Sequence, residues 1–307
     1  MQHKRPFFLS PYFALLSLHN KLSGKCNLLH VILTASLSLS VYSTNSFSQQ
    51  ATEAEPSQEQ QTTLNEVVKD ELLTLPIESL GKKQPVSVEA LDGMQLGADY
   101  FQGAQHQGGV LLLHGCHSKK SDYQQLGKIL AQQGLHALAL DFRGFDTSAN
   151  EQFSHHKIKS QSSDMVSYQA NVAILTAFWD GDIKAAYQFL KNKIHKERGI
   201  SVIATGCAAE QAIALAEEAR LDSIVFIVPN IGLVAKEQYK NLIDYPTYFI
   251  APAYQNASFS TTKELFEWNG HDLSKWQIFK GNLLGHTLLR KSPELAQDIA
   301  QWINRVQ

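Results

Sequence analysis

The chain has 307 residues, of which 44% are hydrophobic and 18% charged, the balance of a folded globular protein and not of a disordered or collagen-like one. Its formal net charge is −2 with no basic cluster, so nothing in its charge points to nucleic acid.

In chain order, the first 48 residues carry Lys4, Arg5, Lys21 and Lys25 but no acidic residue. An apolar run from Leu28 to Tyr42 follows, then a small polar stretch ending Ser46-Phe47-Ser48. A basic front, a short apolar core and small residues at minus three and minus one predict a secretory signal over 1–48, cut before Gln49. The run is shorter than the roughly 20 residues a bilayer span needs, and it includes His30 and several serines, which argues against a retained anchor. Cys26 precedes the apolar run and follows Lys25, so it does not read as a lipoprotein cysteine. The expectation is an exported protein, periplasmic or extracellular, with no stable membrane span after cleavage. Loss of four basic residues leaves 23 against 29 acidic, a net of −6. It also leaves only Cys116 and Cys207, in a compartment where disulfides persist.

Residues 49–79 are rich in Gln, Glu, Thr and Ser and nearly free of aromatics, which predicts a solvated linker. From residue 80 the pattern changes. Val86–Leu91 and Gln95–Phe101 alternate about an Asp92-Gly93 turn, the signature of an antiparallel hairpin. Gly109–His114 and His136–Asp141 are continuous apolar runs, as expected of strands buried on both faces. A helix from Gln124 to Gln133 separates them and stops at Gly134. Beyond a polar insertion at 146–178 come a helix over Asp180–Lys193, strand Ile200–Thr205, helix Ala209–Arg220, and strands Ser223–Val228, Thr247–Ala251 and Trp276–Phe279. A last helix covers Pro293–Val306. Alternating strands and helices imply an α/β domain over 80–307, a mostly parallel sheet with helices on both faces.

Five motifs appear in order: His114-Gly115 after a core strand, Asp141-Phe-Arg-Gly-Phe-Asp146-Thr-Ser148 after the next, the Phe178–Leu190 helix, the Gly281-Asn-Leu-Leu-Gly285-His286 loop and the closing helix. Together they resemble the α/β-hydrolase superfamily, its esterases and dienelactone hydrolases in particular, with Asp146 replacing a glycine of the family motif. Acyl transfer on that fold requires a nucleophile on a sharp strand-to-helix turn, a histidine and an orienting carboxylate. The resemblance assigns the oxyanion loop to His114, Gly115 and Cys116, and the histidine to His286. Aligning Gly206 with the first glycine of G-x-S-x-G-G places Ala208 at the nucleophile, with Glu210 and Gln211 replacing the later glycines. Counting from Pro246 places Gln255, with Asn256 beside it, at the acid. A methyl group cannot attack a carbonyl, and an amide supplies no charge to an imidazolium, so the expectation is a family member without serine-hydrolase activity whose pocket holds a small acyl or ester ligand or nothing.

Two other readings remain open on the same residues. Sliding the turn by one makes Cys207 the nucleophile, activated by His286, as in a cysteine-dependent esterase or lactone hydrolase. The insertion at 146–178 can instead serve as an envelope interaction module. The resemblance sets the loops of Cys116 and Cys207 side by side, so the two either form a disulfide or stay separate thiols. No C-x-x-C or helical i, i+4 histidine spacing supports zinc at His114, His117, His286 and the cysteines, and nothing implies a cofactor. Arg143 is expected to anchor its own loop.

Overall fold

The computed structural model describes residues 80–307; the expected signal and linker lie outside the described residues. Among these, eight strands form one sheet in the order β1-β2-β4-β3-β5-β6-β7-β8. β1 (Lys83–Glu89) and β2 (Gln95–Phe101) make the predicted hairpin, β2 runs antiparallel to β4 (His136–Leu140), and the remaining pairs are parallel. β3 (Gly109–Leu113), β4, β5 (Ile200–Thr205), β6 (Ser223–Ile227) and β7 (Thr247–Pro252) are buried at every position, which explains their unbroken apolar sequences. β8 (Lys275–Phe279), at the edge, is only partly buried.

Side chains leave alternate faces of each strand, so the core divides in two. Leu111, Leu113, Val202, Ala204, Ile224 and Phe226 pack with α4 (Trp179–Lys191), α5 (Ala208–Glu218) and α6 (Leu233–Tyr239). Val110, Leu112, Ile203, Val225 and Ile227 pack with α1 (Gln124–Gln132), α8 (Gly285–Lys291) and α9 (Pro293–Val306). α9 opens with proline, whose missing N–H costs nothing in a first turn, and buries the stripe Leu295, Ala296, Ile299, Ala300, Ile303.

The insertion after β4 is ordered as two helices where the sequence suggested a polar segment. Ser154 caps α2 (His155–Gln161), and a reciprocal Asp164–Ser167 pair caps α3 (Met165–Thr176). α7 (Asn256–Trp268) fills the stretch between β7 and β8. No helix among the described residues is long and apolar enough to cross a membrane.

Two ionic clusters fix the β4 loop. Asp141, fully buried, accepts from the Lys120 backbone N–H (2.8 Å), the Thr147 hydroxyl (2.8 Å) and the Lys120 ammonium. Arg143 reaches well beyond its own loop: it binds Asp92 of the β1–β2 turn (2.5 and 2.9 Å) and Asp182 of α4 (2.7 and 3.1 Å). Burial lowers the Arg143 pKa, but the two carboxylates more than offset this and raise it. Asp146, in place of the family's glycine, keeps a left-handed backbone (φ 35°), a region that aspartate tolerates better than most residues.

Candidate functional site

The parallel strands deliver their following loops to one edge of the sheet, where α/β folds place their sites. β3 is followed there by His114–Ser118, β5 by Gly206–Cys207, β7 by the turn to Gln255, and β8 by Gly281–His286.

β5 ends at Thr205 and α5 begins at Ala208, so two residues reverse the chain. Gly206 takes the left-handed conformation (φ 57°), while Cys207 is already right-handed helical (φ −67°, ψ −21°) and stands at the N-cap of α5. The tip of the turn is therefore Gly206, two residues before the Ala208 assigned from sequence. Ala208 is instead fully buried in the first helical turn. The physical reason is the backbone: the sharp reversal needs a positive φ, which glycine adopts freely. This register sets Ala204 and Ala208 two residues either side of the tip, the small neighbours that such a turn requires. That small-x-tip-x-small spacing is the sequence signal that marks the tip. Neither register supplies a hydroxyl, because glycine has no side chain at all.

The turn is held by its neighbours. The Gly206 N–H donates to Ile227 O (3.1 Å) and its carbonyl accepts from Asn230 N–H (2.9 Å). Val228, between those two, also has a positive φ of 50°, an uncommon state for a β-branched residue. Strained backbone of this kind concentrates at functional sites. A Cβ added at Gly206 would meet nothing closer than Gly115 Cα at 3.7 Å, so a side chain has room.

Cys116 and Cys207 are joined by a disulfide, with Cα atoms 5.9 Å apart. Both are half-buried, at the mouth of the turn and not within the core. On this fold the oxyanion hole comes from the N–H after the nucleophile and one from the loop after β3. With Gly206 at the tip those residues are Cys207 and Cys116, and among the described residues neither N–H donates a hydrogen bond. The bridge thus ties together the two walls of that hole. His114 serves the loop structurally: fully buried, its Nδ1 donates to Gly115 O (2.8 Å) and its Nε2 accepts from Phe142 N–H (3.0 Å). Burial pushes its pKa down, which keeps the ring neutral as this pairing requires.

His286 lies in the first turn of α8, brought to β5 by Gly285. A Cβ on Gly285 would fall 2.1 Å from Thr205 Cγ2, so only glycine allows this approach. The His286 ring lines an open cavity of about 430 Å³ with Ser121, Asp122, Gln124 and Arg290. Among the described residues nothing hydrogen-bonds to the ring. Gln255, at the N-cap of α7, donates from Nε2 to Asn282 O (3.1 Å), tethering the histidine loop by its backbone. Behind the turn, Tyr123 is fully buried with its hydroxyl beside those of Thr205 and Ser118, a feature that no sequence pattern announced. No group of three or more His, Cys, Asp or Glu able to hold a metal occurs among the described residues.

A family model, serine aminopeptidase S33, matches residues 104–294, more than half of the chain. The chain belongs to this α/β-hydrolase family. Among solved structures, a dienelactone hydrolase from Anabaena variabilis superposes with a TM-score of 0.57 at 14% identity, over 73% of this chain and 98% of that one. The esterase Pf2001 of Pyrococcus furiosus gives 0.55 at 17% identity over 73% and 93%, and a carboxyl esterase of Bacillus coagulans 0.56 at 11% over 73% and 98%. At such identities the likeness establishes the fold. No curated protein sequence matches the chain.

Proposed function

We propose that this chain is an exported, non-hydrolytic member of the α/β-hydrolase family whose former acyl site receives a small acyl or ester-type ligand without cleaving it. The observation that carries this reading is Gly206 at the tip of the strand-to-helix turn. The atom that would attack is missing, and the two nearby sulfurs, of Cys207 and Cys116, are bonded to each other. Gln255 adds no charge where the family orients its histidine, and His286 has no carboxylate partner among the described residues. The two unengaged N–H groups of Cys116 and Cys207 give a carbonyl oxygen a place to bind.

The test is an ester-hydrolysis assay on purified protein, oxidised and reduced, using p-nitrophenyl acetate and a lactone. Rates at the buffer background in both states are expected. Turnover that appears on reduction and disappears after alkylation of Cys207 would establish the cysteine-dependent hydrolase instead, with His286 as base. A third reading, an envelope interaction module, draws on α3, where Met165, Val166 and Ile174 are 66%, 76% and 62% exposed.

A further inference from the structure

The two cysteines occupy the positions of this site that carry unengaged backbone donors. β3 and β5 are already paired over five residues, from Gly109 opposite Ile200 to Leu113 opposite Ala204. Gly115 is packed against the Thr205 carbonyl beyond that ladder. The native alignment of the two loops is thus set by the sheet as well as by the bridge, and both cysteines are half-buried, not enclosed in the core. Cys207 is also the N-cap of an 11-residue helix, whose dipole stabilises a thiolate there.

We propose that Cys116–Cys207 is an exchange-active disulfide, so that the site vacated by acyl chemistry handles thiols instead. A thiolate of a dithiol substrate attacks Cys116 Sγ; a substrate–Cys116 disulfide forms, the Cys116–Cys207 bond breaks, and its electron pair leaves on Cys207. The second substrate thiol then attacks the substrate sulfur of the mixed disulfide and releases Cys116. The substrate ends as a disulfide, oxidised by two electrons, and the protein as a dithiol whose sulfurs retain the two protons or pass them to solvent. A disulfide substrate runs the same steps backwards and restores the bridge. Cys207 is the leaving sulfur because a thiolate stabilised at a helix N-terminus departs faster.

The titratable groups on the elements that meet here are few. His117 adjoins Cys116, and it lies close enough to His155 of α2 that, with burial, it lowers the His155 pKa. Lys119 and Asp146 pair with each other at 3.7 Å. Glu210, in the first turn of α5, is occupied by the Gly232 N–H (2.7 Å), and His286 opens α8. Leu233, Val234, Tyr254 and Leu284, exposed on the segments after β6, β7 and β8, ring the same edge and offer apolar contact to a peptide carrying the thiols. Small thiols share the chemistry, so the substrate arms must include both.

Folded wild-type protein is incubated with reduced glutathione or with a reduced peptide dithiol, quenched with acid and alkylated, and each cysteine is scored by mass spectrometry while circular dichroism reports folding. The expected result is reversible reduction without loss of structure, at least tenfold faster than that of a disulfide opened only by unfolding. Faster reaction with the peptide identifies a protein substrate, and equal rates identify small thiols; each supports exchange. In the reduced protein, Cys207 is expected to alkylate at pH 7 about tenfold faster than Cys116, and in Cys116→Ser to do so with a midpoint below that of an ordinary thiol. A bridge that opens only in denaturant, or a Cys207 no more reactive than a free peptide thiol, overturns the proposal. Because the wild type gives the main readout, a poorly folding variant does not rescue it. Ester turnover measured in the same reduced samples tests the non-hydrolytic reading separately: turnover sinks that reading, and absence of exchange sinks this one alone.

Discussion

The left-handed backbone at Gly206 costs glycine little, whereas an L-residue there is disfavoured by roughly 1–2 kcal/mol. Gly206→Ser is therefore expected to lower the unfolding free energy by about that amount in a urea titration. The Cβ itself fits, since the nearest atom is Gly115 Cα at 3.7 Å. The serine alone should not hydrolyse p-nitrophenyl acetate usefully, because Gln255 leaves His286 without an orienting charge. Removing that charge from a working triad lowers kcat on the order of 10⁴-fold. Adding Gln255→Asp to Gly206→Ser is expected to recover at least a hundredfold over the single variant, seen as a burst of nitrophenol. Equal rates for the two would mean that residue 255 does not hold the acid position. The same two residues show how far a sequence carries a site. The loops that carry Gln255 and His286 are legible because each follows directly on a strand, β7 and β8. The tip lies two residues before the position that alignment on the motif's glycine gives, because the physical constraint is small residues flanking a positive φ.

Among the elements, the hairpin, the β4 loop and α4 are joined through Arg143, and acid should loosen that junction. Its hydrogen bonds hold the Asp92 carboxyl down to about 2, below the usual 3.8, so the contribution is fully present above pH 3.8 and fades as pH falls through 2. Asp92→Asn should flatten the pH dependence of stability between pH 4 and 2, read by urea midpoints; an unchanged slope would remove Asp92 from the account. Arg143→Met is more severe, because Asp182 is only 1% exposed and would be left a buried carboxylate without its cation, a loss of about 3–5 kcal/mol. α3 behaves oppositely. Its Met165, Val166 and Ile174 touch little, so replacing all three with glutamine is expected to reduce binding of a hydrophobic dye while shifting stability by under about 0.5 kcal/mol per site. Such a helix was illegible in the sequence, since its apolar residues surround the axis instead of facing the core. β3 to β7 were legible because burial on both faces leaves no polar position to interrupt the run.

Across the whole molecule, the same bridge that shapes the mouth also constrains the unfolded chain. Cys116 and Cys207 are 91 residues apart, and their cross-link removes the loop-closure freedom of everything between β3 and α5 from the denatured ensemble. In the chain-entropy account a loop of that length corresponds to roughly 4.5 kcal/mol at 25 °C. That figure is an upper value, because residual structure in the denatured chain already restricts the loop. For a domain of this size each kcal/mol moves the midpoint by about 2–4 °C, so full reduction should lower Tm by at most about 9–18 °C. The native structure should survive reduction, because the segments on either side of the bridge are held by the β3–β5 ladder and by two buried faces of helices. Calorimetry with and without a phosphine reductant, alongside circular dichroism at 25 °C, separates the two effects. A lowered Tm with an unchanged native spectrum is the expected outcome. An unchanged Tm would mean that the cysteines are not bonded in the folded protein, and the reading of a bridged oxyanion loop would fall with it.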